Sequence, residues 1–230
     1  MNDYSSKISA VLKMIAKHVH KVRSYLDLGC SDGSLTILVA RAVNADRVFG
    51  IDVDSRALQE AFRKGVRPVL CDLNTDSFPF CDEEFDFITA FDVIEHLSNP
   101  DHMLREVHRC LRKDGFFLLS TPNAASWYNR ALLLLGHPTL GIDLSSEYRY
   151  RYPLGVTSTI SGHRRLYSLK ALKDLLSFHG FETISSKGYA QVWSKTRPIG
   201  LLGLVRRLDK ALAKRASLAA NILVLAKKVA

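Results

Sequence analysis

The sequence predicts an α/β fold built on a doubly wound, mostly parallel sheet, and three observations predict it. Short, nearly continuous apolar runs alternate with segments of helical period along the first half of the chain. The runs show little polar alternation, which marks strands covered on both faces. Acidic residues and glycines cluster where the runs end, at the strand edge where open α/β sheets bind ligands.

In chain order, residues 5–22 read as an amphipathic helix, with Ile8, Val11, Leu12, Ile15 and Val19 at helical spacing. Strand-like runs follow at 25–28, 48–51, 68–71, 85–91 and 116–120, with helical patterns between them at 35–43, 55–64 and 102–111. After Thr121-Pro122-Asn123 the alternation stops. Residues 124–162 have no clear period, and an insertion of that length in a compact domain is usually functional or disordered. Tyr128, Tyr148, Tyr150 and Tyr152 argue for order. A helix is expected over 168–179, with Ser168 as N-cap and Gly180 as its stop. A strand over 181–189, a basic amphipathic helix over 199–213 and a last strand over 220–229 complete the chain. The count is seven strands, the last antiparallel and near the sheet edge. No repeat or low-complexity tract intervenes, and 230 residues suit one domain.

Composition narrows the class. Hydrophobic content of 47% with 24% charged residues is ordinary for a globular chain and excludes disorder as the default. Cys30, Cys71, Cys81 and Cys110 show neither a C-x-x-C spacing nor a metal pattern, which points to a reducing, cytosolic setting without disulfides. The N-terminus mixes apolar residues with lysines and has neither signal-peptide nor membrane-span character. Net charge is +9, and residues 196–230 carry eight basic residues against one acid, so +7 of it belongs to the tail.

The first strand runs into Asp27-Leu28-Gly29-Cys30-Ser31-Asp32-Gly33-Ser34 and then a helix. Glycines there permit positive φ and close backbone approach of a ligand. The G-x-x-x-G spacing is not that of a dinucleotide site, and a bare βα turn explains it equally well. Asp52 at the end of strand two is placed to accept hydrogen bonds from ribose hydroxyls, with helix capping by Asp54 and Ser55 as the alternative. Asp72 and Leu73 end strand three, where a side-chain acceptor and a backbone N–H could read an adenine edge.

Five segments in order, YLDLGCSDGS, FGIDVD, CDLNTDSFPF, FDFITAFDVIEHL and LREVHRCLRKDGFFLLSTPN, resemble the successive motifs of class I S-adenosylmethionine-dependent methyltransferases. The resemblance is closest to the group that includes ubiquinone-biosynthesis and other small-molecule methyltransferases. It covers residues 20–123 strongly and 162–189 moderately. It implies a Rossmann-like fold in which an inserted segment forms the acceptor cap, and S-adenosylmethionine as cofactor. Asp27, Gly29, Cys30 and Gly33 would surround its methionine portion. Asp52 would hold the ribose, Val53 the adenine face, and Asp72 and Leu73 the adenine amino group and ring. Phe91 would line the floor near the methionine carboxylate. Ser31 departs from the family, which most often has glycine there.

Methyl transfer needs alignment of nucleophile, methyl and sulfur, and a hydroxyl or amine nucleophile must also lose its proton. Asp92-Val93-Ile94-Glu95-His96 follows strand four, and a helical run would put its two acids and imidazole on one face. His96 is the candidate catalytic base. Small-RNA 2′-O-methyltransferases hold a divalent metal with a similar E-x-x-E-H and a later histidine, and some ubiquinone-pathway enzymes resemble them. Glu95, His96 and His163 are therefore candidate metal ligands, with Asp92 standing where that pattern has Glu. A purely architectural role is the third reading. The remaining histidines carry no assignment.

Leu132–Leu135 could line an apolar acceptor pocket or pack a helix on the sheet. The 199–213 helix sets leucines against Arg206, Arg207, Lys210, Lys214 and Arg215. It suits a domain helix with a solvated basic face, or peripheral contact with an anionic membrane. Nucleic acid is disfavoured, since no RNA-binding module is recognisable. The expected function is S-adenosylmethionine-dependent methylation, on oxygen, of a small-molecule or lipid-linked acceptor. The rivals are a metal-dependent RNA ribose 2′-O-methyltransferase and a non-catalytic cofactor-binding protein.

Overall fold

In the computed structural model, which describes residues 3–190 and 201–229, seven strands form one sheet. The strands are β1 (Ser24–Leu28), β2 (Arg47–Asp52), β3 (Arg67–Leu70), β4 (Phe85–Phe91), β5 (Leu111–Pro122), β6 (Phe181–Tyr189) and β7 (Asn221–Lys228). Their order is β3-β2-β1-β4-β5-β7-β6. The first five are parallel, and β7 runs antiparallel to both β5 and β6. The order reverses beside β1, so the crevice for a ligand opens between the carboxyl ends of β1 and β4.

Both faces are covered, as the continuous apolar runs require. Leu26, Leu28, Ile88, Ile222 and Val224 point into one core with Met103 and Leu104 of α4 (Pro100–Cys110) and Leu172 and Leu176 of α6 (Leu169–Phe178). Tyr25, Phe87, Leu118, Leu223 and Leu225 point the other way. They meet Val11, Met14 and Ile15 of α1 (Asp3–His18) and Val39 and Val43 of α2 (Ser34–Val43). The period-2 alternation thus serves two apolar layers instead of separating core from solvent.

Element bounds follow local chemistry. Asp54 caps α3 (Ser55–Arg63) by accepting from Arg56 N and Ala57 N. α4 begins two residues before the expected start because Asn99 caps it and Pro100 fits its first turn. Ser168 caps α6 as expected, accepting from Ala171 N. α1 stops at His18, short of the expected residue 22, although Val19 and Val22 stay buried beyond it. β5 extends well past 116–120, with a register shift opposite Phe85 and Phe87 that absorbs residues 112–115.

The insertion after β5 is ordered by polar ties, which explains its lack of hydrophobic period. It holds α5 (Trp127–Leu134), a 3-10 turn (Pro153–Gly155) and an isolated bridge between Arg151 and Thr157. Buried Asn129 donates to Asn123 O and Leu140 O and accepts from Leu140 N. Tyr152 Oη donates to Thr139 O at 3.0 Å, and His137 Nδ1 lies 2.8 Å from Tyr150 Oη. Leu133, Leu134 and Leu135 are exposed and do not pack on the sheet, while Leu132 is half-buried. The inner side of α5 is spent on these polar ties, which turns the leucines outward.

The tail helix α7 (Leu201–Leu212) occupies the expected segment, whose first residues lie outside the described ones. All four cysteines are free, with Cys30, Cys71 and Cys110 buried and Cys81 exposed. No helix among the described residues is long and apolar enough to cross a membrane.

Gly188 of β6 lets the segment after α7 close against the sheet. A Cβ there would stand 2.2 Å from Ala219 Cβ and 2.6 Å from Ala213 O. Gly188→Ala should therefore cost about 2 kcal/mol by overpacking. The expected reading is a lower urea midpoint at unchanged slope.

Candidate active site

β1 ends on a buried carboxylate. Asp27 is cut off from water, and Thr36 Oγ1 of α2 and Thr89 Oγ1 of β4 each donate to it at 2.6 Å. Burial pushes Asp27 up to about 6 against the pull of these donors. Asp27 thus lies behind the turn and ties β1, α2 and β4 together.

Beyond it the chain turns through three left-handed residues, Gly29 (φ 69°), Ser31 (φ 47°) and Gly33 (φ 74°). Gly29 is needed for space as well, since a Cβ would meet Val93 Cγ2 at 2.5 Å. Gly33 is the N-cap of α2, and its Cβ would press on Ala61 and Val66 at 3.0 Å. Ser31 keeps the conformation a glycine would adopt there, held by its N–H to Asp52 Oδ2 at 2.8 Å. The departure from glycine leaves the backbone path intact. The Cys30 side chain is buried, and it occupies the place a Cβ on Gly50 would need. Its N–H donates to Ile51 O at 3.0 Å, so Cys30 packs the turn and offers little to a ligand.

Asp52 accepts from Ser31 N and Asp54 N, joining the first two strand ends. Two backbone donors leave acceptor sites on the carboxylate. Val53 beside it is 65% exposed, an apolar side chain held open at the cleft. Asp72 accepts from Asn74 N and Nδ2 and shapes the turn after β3. The Leu73 side chain is buried in the core, a correction to the expected ring contact.

After β4 the Asp92–His96 run makes a hydrogen-bonded turn, His96 N to Val93 O at 2.9 Å, and no helix. Asp92 departs from the shared face. It sits at φ 57° and is held by Lys7 Nζ of α1 at 2.8 Å, Ser120 Oγ at 2.7 Å and Tyr189 Oη at 3.3 Å. Lys7 also lies over the ring of Phe91, 5.2 Å from its centroid. Lys7 was invisible in sequence, because one lysine of a basic amphipathic helix carries no local signal.

Glu95, His96 and His163 do come together, one ligand atom from each lying within 4.8 Å of the others. The insertion's return segment is pinned to this turn: Arg164 N donates to Glu95 O at 2.8 Å, and Arg165 reaches Leu97 O and Ser98 O. The imidazole rings of His96 and His163 stand edge to face at 4.7 Å. Nδ1 of His96 meets Gly162 O at 3.2 Å and Nδ1 of His163 meets Gly141 O at 2.6 Å. A carbonyl can only accept, so each Nδ1 carries a proton. Glu95 is buried, with Oε2 accepting from Thr121 Oγ1 and Oε1 without a partner. Burial, and then the charge of Asp92, push Glu95 up to about 8. Burial and neighbouring His163 hold His96 below its usual range, so its imidazole is neutral at pH 7. Of the other histidines, His179 lies 2.8 Å from Asp101 and His108 packs on Phe181.

The strand order, the antiparallel β7 and the glycine turn facing the end of β4 are those of class I S-adenosylmethionine-dependent methyltransferases. Residues 3–186 match the family described as methyltransferase domain, and the chain belongs to that family. The ubiquinone biosynthesis O-methyltransferase of Candida albicans is 36% identical over 112 residues, 45% of this chain and 34% of that protein. The ribosomal protein L11 methyltransferase of Thermosipho africanus is 34% identical over 119 residues, 50% of this chain and 43% of that protein. The chain thus spans less than half the length of either relative. A solved S-adenosylmethionine-dependent methyltransferase from Mesorhizobium loti shares the fold, with a TM-score of 0.60 at 20% identity over 95% of this chain and 96% of its own.

Thr89→Val should remove one donor from buried Asp27 and cost about 2 kcal/mol where that group is charged. Asp27 already titrates above its unfolded value, so its ionisation lowers stability as pH rises toward about 6. The variant raises that pKa further. Urea titrations should show the gap between variant and wild type widening above pH of about 6.

Proposed function

We propose that this chain transfers the methyl group of S-adenosylmethionine to an oxygen of a small-molecule or lipid-linked acceptor, deprotonated at the Glu95–His96–His163 cluster. One observation carries the reading. Two imidazoles anchored through Nδ1 and an unpartnered buried carboxylate oxygen converge on the turn that packs against the glycine loop. The acceptor class draws support from the Candida relative, named for an O-methyltransferase, although the Thermosipho relative is named for a ribosomal protein.

The cofactor residues fit. Asp52 has acceptor capacity left for ribose hydroxyls, and exposed Val53 lies beside it for the adenine face. Asp72 follows at the next strand end for the amino group. The backbone of the 29–33 turn encloses the methionine portion, Asp27 fixes that turn from behind, and Phe91 forms the floor beneath Lys7. When bound, S-adenosylmethionine supplies a sulfonium methyl that needs alignment more than activation. His96 Nε2 then takes the acceptor's proton, its ring oriented by Gly162 O.

A second reading rests on the orphaned Oε1 of Glu95. A divalent cation fits a carboxylate flanked by two imidazoles whose Nδ1 atoms are tied to carbonyls, the usual support for metal-bound histidine. Such an ion would supply Lewis acidity to the acceptor oxygen. Mixed oxygen and nitrogen ligands admit magnesium, manganese or zinc.

Two measurements test this. S-adenosylhomocysteine should raise the melting temperature and NAD should not, and Asp52→Ala should weaken S-adenosylhomocysteine binding about tenfold or more through loss of a charged acceptor. Unchanged affinity removes Asp52 from the ribose. Separately, activity lost on chelation and restored by a divalent ion, with Glu95→Gln folded but inert to added metal, supports the cation. Metal affinity should then climb with pH toward about 8, as Glu95 gives up its proton. Full activity in excess chelator, rising with pH through the lowered pKa of His96 and then level, supports His96 as the base.

A further inference from the structure

We propose that α7 and the end of α5 form a docking face for an anionic lipid bilayer, which brings a lipid-linked acceptor to the site; the acceptor half of this inference rests on the function proposed above. α7 has two different sides. Val205, Asp209, Leu212 and Ala213 turn inward, with Asp209 and Ala213 buried. Leu204, Leu208 and Ala211 lie at helical spacing on the outside, and Leu204 is 62% exposed. A solvated domain helix would place its leucines inward and leave only polar residues out.

Charge decides what covers this face. Arg207, Lys210, Lys214 and Arg215 are all exposed beside the outer leucines. None takes part in the ion pairs found among the described residues. The tail's single acid, Asp209, is withdrawn from the surface, accepting from Trp127 Nε1 at 3.0 Å. The outer face is therefore uniformly cationic around an apolar stripe. That combination suits anionic headgroups above acyl chains, and a purely apolar partner would leave the charges stranded.

The same contact joins α7 to α5, whose first residue is Trp127 and whose far end leaves Leu133, Leu134 and Leu135 exposed, Leu134 at 88%. α5 and the segment after α7 are both tied to the carboxyl end of β5. Asn123 Nδ2 donates to Ala219 O at 2.8 Å, and Trp127 N donates to Leu218 O at 3.0 Å. Two residues before Asn123, Thr121 donates to Glu95. The segments that carry the uncovered leucines and cations are thus tied to the strand end that also holds Glu95, on the side from which a headgroup-linked acceptor would enter under this proposal.

The full chain should co-sediment with vesicles of phosphatidylcholine and phosphatidylglycerol about tenfold more than with phosphatidylcholine alone, and raised salt should release it. Arg207→Glu with Lys210→Glu should abolish this, and Leu133→Ser with Leu134→Ser should weaken it several-fold. The melting shift with S-adenosylhomocysteine should persist in both variants, which shows that they fold. Equal pelleting of wild type and charge-reversed protein overturns the proposal. So does a leucine variant that loses only self-association, or a wild type that leaves vesicles for RNA at equal phosphate. Vesicle failure with intact S-adenosylhomocysteine binding refutes the docking face alone. Absence of S-adenosylhomocysteine binding refutes the methyltransferase reading instead.

Discussion

Asp27 is held behind the cofactor turn by two threonines that come from different elements, one from the start of α2 and one from the middle of β4. Hydrogen bonds to a buried carboxylate are short and directional, and they set the spacing of β1, β4 and α2 closely. The chain must then pass from Leu28 to Ser34 in five residues without lengthening any of the three. Left-handed backbone at Gly29, Ser31 and Gly33 is the consequence. Ser31 tolerates it because its N–H is anchored on Asp52, which carries the constraint across to β2. The glycines are there because the carboxylate is, and the shape of the cleft follows from both.

The Glu95–His96–His163 cluster is assembled from distant pieces. The turn after β4 supplies Glu95 and His96, and the insertion returns sixty-odd residues later to set His163 beside them. Backbone carbonyls of the insertion, Gly162 O for His96 and Gly141 O for His163, orient both rings. Asp92, one position past the strand, is drawn away toward Lys7, Ser120 and Tyr189. Two neighbouring carboxylates are thereby given opposite environments, one bridged to a cation and the other buried with an empty oxygen. Sequence adjacency would have placed them in one role.

How much of this could be read in the sequence differs by residue. β4 matches its expected bounds because a run buried between helices leaves a nearly continuous apolar signature, and β6, a half-exposed edge strand, matches from Phe181 to Tyr189, the two buried residues at its ends. The meeting of His163 with Glu95 and His96 was expected from motif order, and polar ties across the insertion bring it about. Cys30 and Leu73 were expected at the ligand, yet their side chains turn into packing, because a motif gives position along the chain and says little about facing. The leucine run misled for a related reason: the buried residue of α5 is Asn129, and Leu133, Leu134 and Leu135 are left exposed at its end. Lys7 had no signal at all, its partner lying 85 positions away.

β7 is the last strand in sequence but not the last in space. It lies between β5 and β6 and pairs with both along most of its length. Until residues 221–228 leave the ribosome, β5 has one open edge and β6 has no neighbour. The nascent chain therefore carries two unsatisfied edges of the kind that recruit other strands. Closure requires contacts separated by about a hundred residues, the kind that slow folding. A chain cut before β7 would keep every cofactor residue and still lose the strand that joins β6 to the sheet. The candidate cofactor residues can thus all be present in the growing polypeptide well before the sheet that supports them, which makes β7 a late lock on a cleft whose residues are already in the chain.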